Sequence, residues 1–283
     1  MGRSVMALAA ACVALVAGSA WAQPEQAGQV VLAPSVSATH GVPSGAVTSF
    51  RVACRAGYTA VSAGITSPAA GTTVLAIAPA GRSAYRFRVA SPADNDARRI
   101  TVAVACRKIG TGASRFALRV KPLKHRTVVV PAHGIASVAL PCPKGTTPAN
   151  GGFAFGSATL SVRRESSTLT SASYSLANSG SSARSAVIYG ACLTLVRTAD
   201  APFAQLHVRV TTFRVPLRTG AQTIGRSCRK GWFSLDAGYL LRAQSTKLDG
   251  AAATARGARW KLTNPTDAAV LADVQLACGQ LGP

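Results

Sequence analysis

Large apolar and polar residues alternate along most of this chain. "TSFRVAC", "YRFRVAS" and "RITVAVAC" place bulky or β-branched apolar residues at every second position, the period of a strand with one face buried. Gly, Pro, Ser, Asn and Asp collect between such runs at turn spacing. "SPADND" (Ser91–Asp96) and "NPTD" (Asn264–Asp267) read as tight turns, because Asp and Asn side chains bond their own backbone there. Beyond the first residues no long helical period is present, so the pattern predicts an all-β protein.

The same series of landmarks occurs three times. "CRAGYTAVSAGI" begins at Cys54, "CPKGTTPANGGF" at Cys142 and "CRKGWFSLDAGY" at Cys228. Each reads cysteine, two residues, glycine, six residues, glycine. The glycines are Gly57 and Gly64, Gly145 and Gly152, Gly231 and Gly238. The starts lie 88 and 86 residues apart, counted from Cys54 to Cys142 and from Cys142 to Cys228. A Val-Pro pair stands 12 or 13 residues before each cysteine, at Val42-Pro43, Val130-Pro131 and Val215-Pro216, with Gly45, Gly134 or Gly220 following. An aromatic stands 31 or 32 residues after it, at Tyr85, Tyr174 and Trp260. Each series closes on an alanine-cysteine pair: Ala105-Cys106, Ala191-Cys192 and Ala277-Cys278. A fixed period of this length marks tandem structural repeats.

The reading is therefore three tandem disulfide-stapled antiparallel β-sandwich-like repeats of about 87 residues, over 23–110, 111–198 and 199–283, each of roughly six or seven strands. A three-fold β-prism is the alternative. Six cysteines can pair in many ways; the repeat selects Cys54–Cys106, Cys142–Cys192 and Cys228–Cys278, each joining an early strand to the last one. The glycine after each first cysteine is expected at positive φ in a turn. The second is expected where neighbouring backbones approach closely. Tyr85, Tyr174 and Trp260 are expected as core anchors.

These units resemble secreted bacterial tandem repeats of the form Cys-Pro-x-Gly, a glycine pair, an aromatic-x-x-x-Asn segment and a closing Ala-Cys. The middle unit has the full "CPKG" and the Gly151-Gly152 pair, whereas Arg55 and Arg229 replace the proline in the others. The chain is also similar to the vitelline membrane outer layer β-prism, whose three repeats carry Cys-Pro-x-Gly signatures and are shorter. Both resemblances imply a β architecture, and neither implies an activity.

Residues 1–22 read as a signal peptide: Arg3, an apolar run from Val5 to Val16, and a small-x-small site at Ala20-Trp21-Ala22. Cleavage there removes Cys12 and leaves six of the 7 cysteines, an even count that suits disulfides in an oxidising compartment. The expected localisation is secreted, periplasmic or cell-surface.

Charge changes the picture most. The chain has 31 Lys and Arg against 9 Asp and Glu. Loss of Arg3 leaves 30 against 9, an excess of 21 that attracts polyanions. The candidate polyanion-binding residues are Arg98, Arg99, Arg107, Lys108, Lys121, Lys124, Arg126, Arg163, Arg164, Arg226, Arg229 and Lys230. The expected partners are anionic polysaccharide, lipid head groups or another polyanion. Aromatic platforms beside these clusters are scarce, so nucleic acid is not favoured.

Catalytic chemistry is thin. Asp94 and Asp96 share a turn, but nothing nearby completes a calcium site. His40, His125, His133 and His207 do not stand at metal-ligand spacing. There is no GxSxG, HExxH or phosphate-cradling loop. Paired carboxylates of a glycosidase kind meet only in the fold, and the acids do not recur with the repeats. The reading is a non-catalytic, cofactor-free, basic binding or envelope-associated protein. The alternative is a structural subunit of an extracellular layer, fibre or appendage that self-assembles.

Overall fold

The computed structural model describes residues 30–32, 35–67, 71–94, 96–109, 116–122, 125–197 and 205–282, and these contain no helix. The expected signal peptide and its cleavage site lie outside the described residues. The first repeat supplies β1 (Val30–Leu32), β2 (Val36–Val42), β3 (Val47–Ala53), β4 (Thr59–Ser67), β5 (Thr73–Pro79), β6 (Ala84–Ala90) and β7 (Arg98–Ile109). The second supplies β8 (Phe116–Pro122), β9 (Arg126–Val130), β10 (Ile135–Pro141), β11 (Thr147–Phe155), β12 (Leu160–Ser167), β13 (Ser171–Asn178) and β14 (Arg184–Arg197). The third supplies β15 (Gln205–Leu217), β16 (Gly220–Ser227), β17 (Phe233–Leu241), β18 (Lys247–Ala253), β19 (Gly257–Asn264) and β20 (Val270–Gly282).

The strands form three antiparallel sheets, and each sheet takes strands from two repeats. The first runs β1-β7-β4-β18-β19-β16, with β2 also on β7. The second runs β3-β6-β5-β11-β14-β8, with β9 also on β14. The third runs β10-β13-β12-β17-β20-β15. Half of repeat one thus completes a sheet with half of repeat two, half of two with half of three, and half of three with half of one. This cyclic exchange differs from three self-contained sandwiches, in which each repeat would complete its own sheets. Within repeat one the two halves still pack face to face, around Val42, Val52, Phe87, Ile100 and Val102, and repeat two does the same around Val130, Leu140, Tyr174 and Ile188. The repeats are sandwich-like in packing, while their strand hydrogen bonds pass to the next repeat.

Alternation decides which side chains go inside. On β13, Ala172, Tyr174, Leu176 and Asn178 are buried, and the residues between them are half-buried. The disulfides are Cys54–Cys106, Cys142–Cys192 and Cys228–Cys278, as the repeat predicts. Each first cysteine follows β3, β10 or β16 in one sheet, and its partner lies in β7, β14 or β20 of another. Every bridge therefore ties two sheets together. Closing loops of 52, 50 and 50 residues stabilises each by about 4 kcal/mol in the chain-entropy account. Three such bridges suit an oxidising extracellular or periplasmic environment.

Both glycines of the motif have the expected roles. Gly57, Gly145 and Gly231 take φ of 79°, 78° and 83° in the turn after the cysteine. Gly64, Gly152 and Gly238 stand at the joints between repeats. A Cβ on Gly64 would lie 1.7 Å from the Ala251 carbonyl oxygen, one on Gly152 1.9 Å from that of Ile77, and one on Gly238 2.5 Å from that of Glu165. The repeat aromatics are buried against the same joints. The Tyr174 hydroxyl accepts from the Gly152 N–H at 3.1 Å, and Trp260 Nε1 donates to the Gly238 carbonyl at 2.9 Å. Tyr85, Tyr174 and Trp260 are all essentially inaccessible to solvent.

Two stability predictions follow from the joints. Gly64→Ala should lower stability by about 1–3 kcal/mol or more by forcing two backbones apart, whereas Gly225→Ala, with open space around it, should stay near wild type in thermal denaturation. Trp260→Ala should cost roughly 3–5 kcal/mol through the cavity and the lost hydrogen bond.

Candidate functional site: an arginine face and an acidic axis

The structure spreads the predicted basic residues over all three sheets. In the first sheet, Arg98 is held by Asp94 and Asp96, so these two acids serve the turn. Arg99 is exposed on β7, and Lys108 is half-buried. Arg226 is exposed on β16 and lies 5.1 Å from the centroid of the Phe213 ring. Arg229 and Lys230 are exposed in the turn before β17. In the second sheet, Lys121 and Arg126 are exposed on β8 and β9. Lys124 lies outside the described residues. In the third, Arg164 is exposed and donates to the Ser166 hydroxyl at 2.8 Å.

Two of the basic candidates point inward instead. Arg107 is fully buried. Its guanidinium donates to the carbonyls of Cys106 at 2.9 Å, Ser234 at 2.9 Å and Thr254 at 2.6 Å. Burial lowers its pKa to about 10. Arg163 donates to the carbonyls of Leu241, Gln244 and Thr246, each at 3.1 Å, and to that of Ala243. Both arginines reach from their own repeat into the third, where they clasp its backbone.

A cationic face arises from arginines that do not stand next to one another in the sequence. Arg51 on β3 and Arg86 and Arg88 on β6 are exposed. Arg51 stands directly opposite Arg86, and Ser49 opposite Arg88, so the three side chains share one face of the second sheet. Across the next strand, Arg86 faces Ala78 and Arg88 faces Ala76, and Ala76 in turn faces Ala154. The arginines therefore stand as a row beside a strip of small residues. None of this sheet's seven strands contains an Asp or Glu. Like charges directly opposite each other destabilise a sheet, and none of the three arginines has an acidic partner among the described residues. The alternation in "YRFRVAS" was the signal for this face, since it sends Arg86 and Arg88 to the side opposite Tyr85 and Phe87.

The fold also gathers acids that the sequence scatters. Ile77, Glu165 and Ala251 each stand 23 residues after the first cysteine of their repeat, and their carbonyls meet the three joint glycines. Repeat two thus carries a carboxyl where its sisters carry apolar side chains. Asp236 lies close by on β17, where a bulge between Ser234 and Asp236 breaks the alternation and leaves Leu235, Asp236 and Ala237 all buried. The Asp236 carboxylate accepts from the Ser167 hydroxyl at 2.8 Å and from the Ala237 N–H at 2.7 Å. The Tyr174 hydroxyl donates to Glu165 at 3.2 Å. Burial, reinforced by the neighbouring Asp236 charge and opposed by the Tyr174 hydrogen bond, pushes the Glu165 carboxyl up to about 8. Burial raises Asp236 as well, against its two hydrogen bonds.

Glu165 is half-buried because it opens onto a cleft of about 960 Å³ to which all three sheets contribute, through Ile65, Phe153 and Tyr239 among others. Asp249, Lys247 and Lys261 line the same cleft. Comparison with known proteins finds no family model that matches the chain and no curated protein similar to it in sequence.

Glu165 sets a pH dependence of stability. The unfolded chain releases this proton near 4.5 and the folded chain near 8. Between those values the folded state holds the extra proton, so stability falls as pH rises through that window and stays lowered above it. Glu165→Gln should remove this slope. At pH 8.5 the variant should exceed wild type by roughly 2–4 kcal/mol, with little difference at pH 4, as read by thermal denaturation at both values.

Proposed function

We propose that this is an exported, non-catalytic, strongly basic protein that contacts anionic surface polymers, either glycans or lipid head groups, at the cell envelope. The acid-free arginine face of the second sheet carries the reading. Arg51, Arg86 and Arg88 repel one another in the free protein, and a polyanion laid along the row relieves that repulsion while displacing counterions. The strip of alanines beside the row leaves room for a polymer backbone to approach the sheet. The exposed candidates Arg99, Lys121, Arg126, Arg164, Arg226, Arg229 and Lys230 supply a general positive field that attracts such a polymer from any side.

A second reading, a structural subunit of an extracellular layer, fibre or appendage, is favoured by one observation. Strand β15 is 13 residues long and forms an edge of the third sheet, so one side of its backbone is open to pairing with another copy. Salt separates the two readings, since electrostatic retention is lost at high ionic strength and strand pairing survives it.

On immobilised heparin the oxidised protein should be retained at about 50 mM salt, with affinity falling steeply towards about 200 mM. Converting Arg51, Arg86 and Arg88 to Glu should abolish retention, while the same change at Arg229 and Lys230 should weaken it only modestly. Thermal stability should stay near wild type in the first variant, since it keeps a like-charge pair across the same two strands. Lack of retention at low salt on heparin, lipopolysaccharide and DNA alike would transfer support to the structural reading.

A further inference from the structure

The cleft between the three sheets is separate from the arginine face, and the proposed function does not use it. Its volume of about 960 Å³ lies within the range of ligand pockets, roughly 300–1,000 Å³. Its lining divides into two chemistries. Ile77 and Leu248, both half-buried, supply apolar surface, backed by the buried side chains of Phe153, Phe155 and Leu160. Lys247 and Lys261 are exposed at the cleft, and neither has an acidic partner among the described residues. Arg163 also lines it, its position set by its four carbonyl acceptors. The acids are Asp249, which accepts from the Thr263 hydroxyl, and Glu165.

We propose that this cleft binds a free single-chain alkyl anion, with the chain on the apolar lining and the head group at Lys247 and Lys261.

Charge selects the anion. Glu165 faces Tyr85, Tyr174, Tyr239 and Asp236, and in that buried setting it keeps its proton at neutral pH. Lys247, Lys261 and Arg163 then line the cleft beside a single further acid, Asp249. A cationic amphiphile meets repulsion there, and an uncharged one gains nothing from the lysines. A second observation points to a missing partner. Thr246 lines the cleft and is 1 % exposed. Its N–H donates to the Ala243 carbonyl at 3.2 Å, and its own carbonyl receives Arg163 at 3.1 Å. Its backbone is fully engaged, yet its buried hydroxyl has no hydrogen-bond partner. Leaving such a group unpaired is costly, and a carboxylate or phosphate oxygen would satisfy it.

Isothermal titration of the oxidised full chain with monomeric dodecanoate, at neutral pH, tests this. One molecule should bind per chain, at least tenfold more tightly than dodecan-1-ol, and dodecyltrimethylammonium should bind no better than the alcohol. Lys247→Glu with Lys261→Glu should weaken dodecanoate at least tenfold without changing the melting temperature, and should weaken heparin retention no more than the change at Arg229 and Lys230. Thr246→Val, which keeps the shape and removes the hydroxyl, should weaken it severalfold. Equal binding of alcohol and dodecanoate would overturn the proposal, as would full affinity in the double lysine variant. No binding of monomeric dodecanoate by the folded protein would also overturn it, and binding confined to anionic phospholipid vesicles would do the same. Loss of heparin retention with dodecanoate binding intact would count against the arginine face alone.

Discussion

Everything in this fold depends on how closely two backbones can approach where one repeat hands a sheet to the next. The ladders at these joints are short. β4 and β18 share one paired position, Ile65 with Ala251, while β5 with β11 and β12 with β17 share two each. Within a repeat the ladders are longer; β15 pairs with β20 over their full length. So short a ladder does not join two sheet halves strongly by hydrogen bonding alone. The halves are joined because the chains come near enough to exclude any Cβ at Gly64, Gly152 and Gly238, and because the buried rings of Tyr174 and Trp260 bond the joint glycines of their own repeats. Glycine is required there because the neighbouring carbonyl already occupies the space a side chain would take.

Much of this was legible in the chain before any coordinates. The three-fold series of landmarks identifies the cysteine pairs, the turn glycines and the core aromatics, because each is a local requirement repeated at a fixed offset. The cyclic exchange was not legible. Alternation reports which face of a strand is buried and says nothing about which strand lies alongside, so a self-contained sandwich and a shared sheet leave the same pattern in β4 or β11. The inward arginines show a related limit. Arg107 follows a cysteine as part of a basic pair and reads as surface, yet its counterparts in the other repeats are Leu193 and Gly279, both buried. Aligning the repeats by position was the available signal. The same alignment singles out Glu165 against Ile77 and Ala251. Its pairing with Asp236 was beyond reach, because the two acids belong to different repeats and meet only across a joint.

The third repeat is where the other two are fastened. Arg107 brings repeat one onto the carbonyls of Ser234 and Thr254, and Arg163 brings repeat two onto those of Leu241, Gln244 and Thr246. A guanidinium suits this task, since its several N–H donors satisfy several backbone acceptors at once and it keeps its charge under most conditions. The basic composition of the chain is therefore not all of one kind. Part of it holds the repeats together from inside, and part of it faces outward unpaired.

The first sheet has a consequence for the order in which the molecule can be completed. Strand β4 lies beside β18, whose residues follow it by a little more than the length of two repeats. A chain emerging from its N-terminus exposes an unpaired edge of β4 until the third repeat arrives. Contacts of such long sequence separation form slowly and leave sticky edges open in the meantime. Ring closure is thus a late event, and an incomplete chain lacks the strands that would cap its beginning. Truncation within the last repeat would unseat the first, so the first and third repeats are thermodynamic neighbours even though the second separates them along the chain.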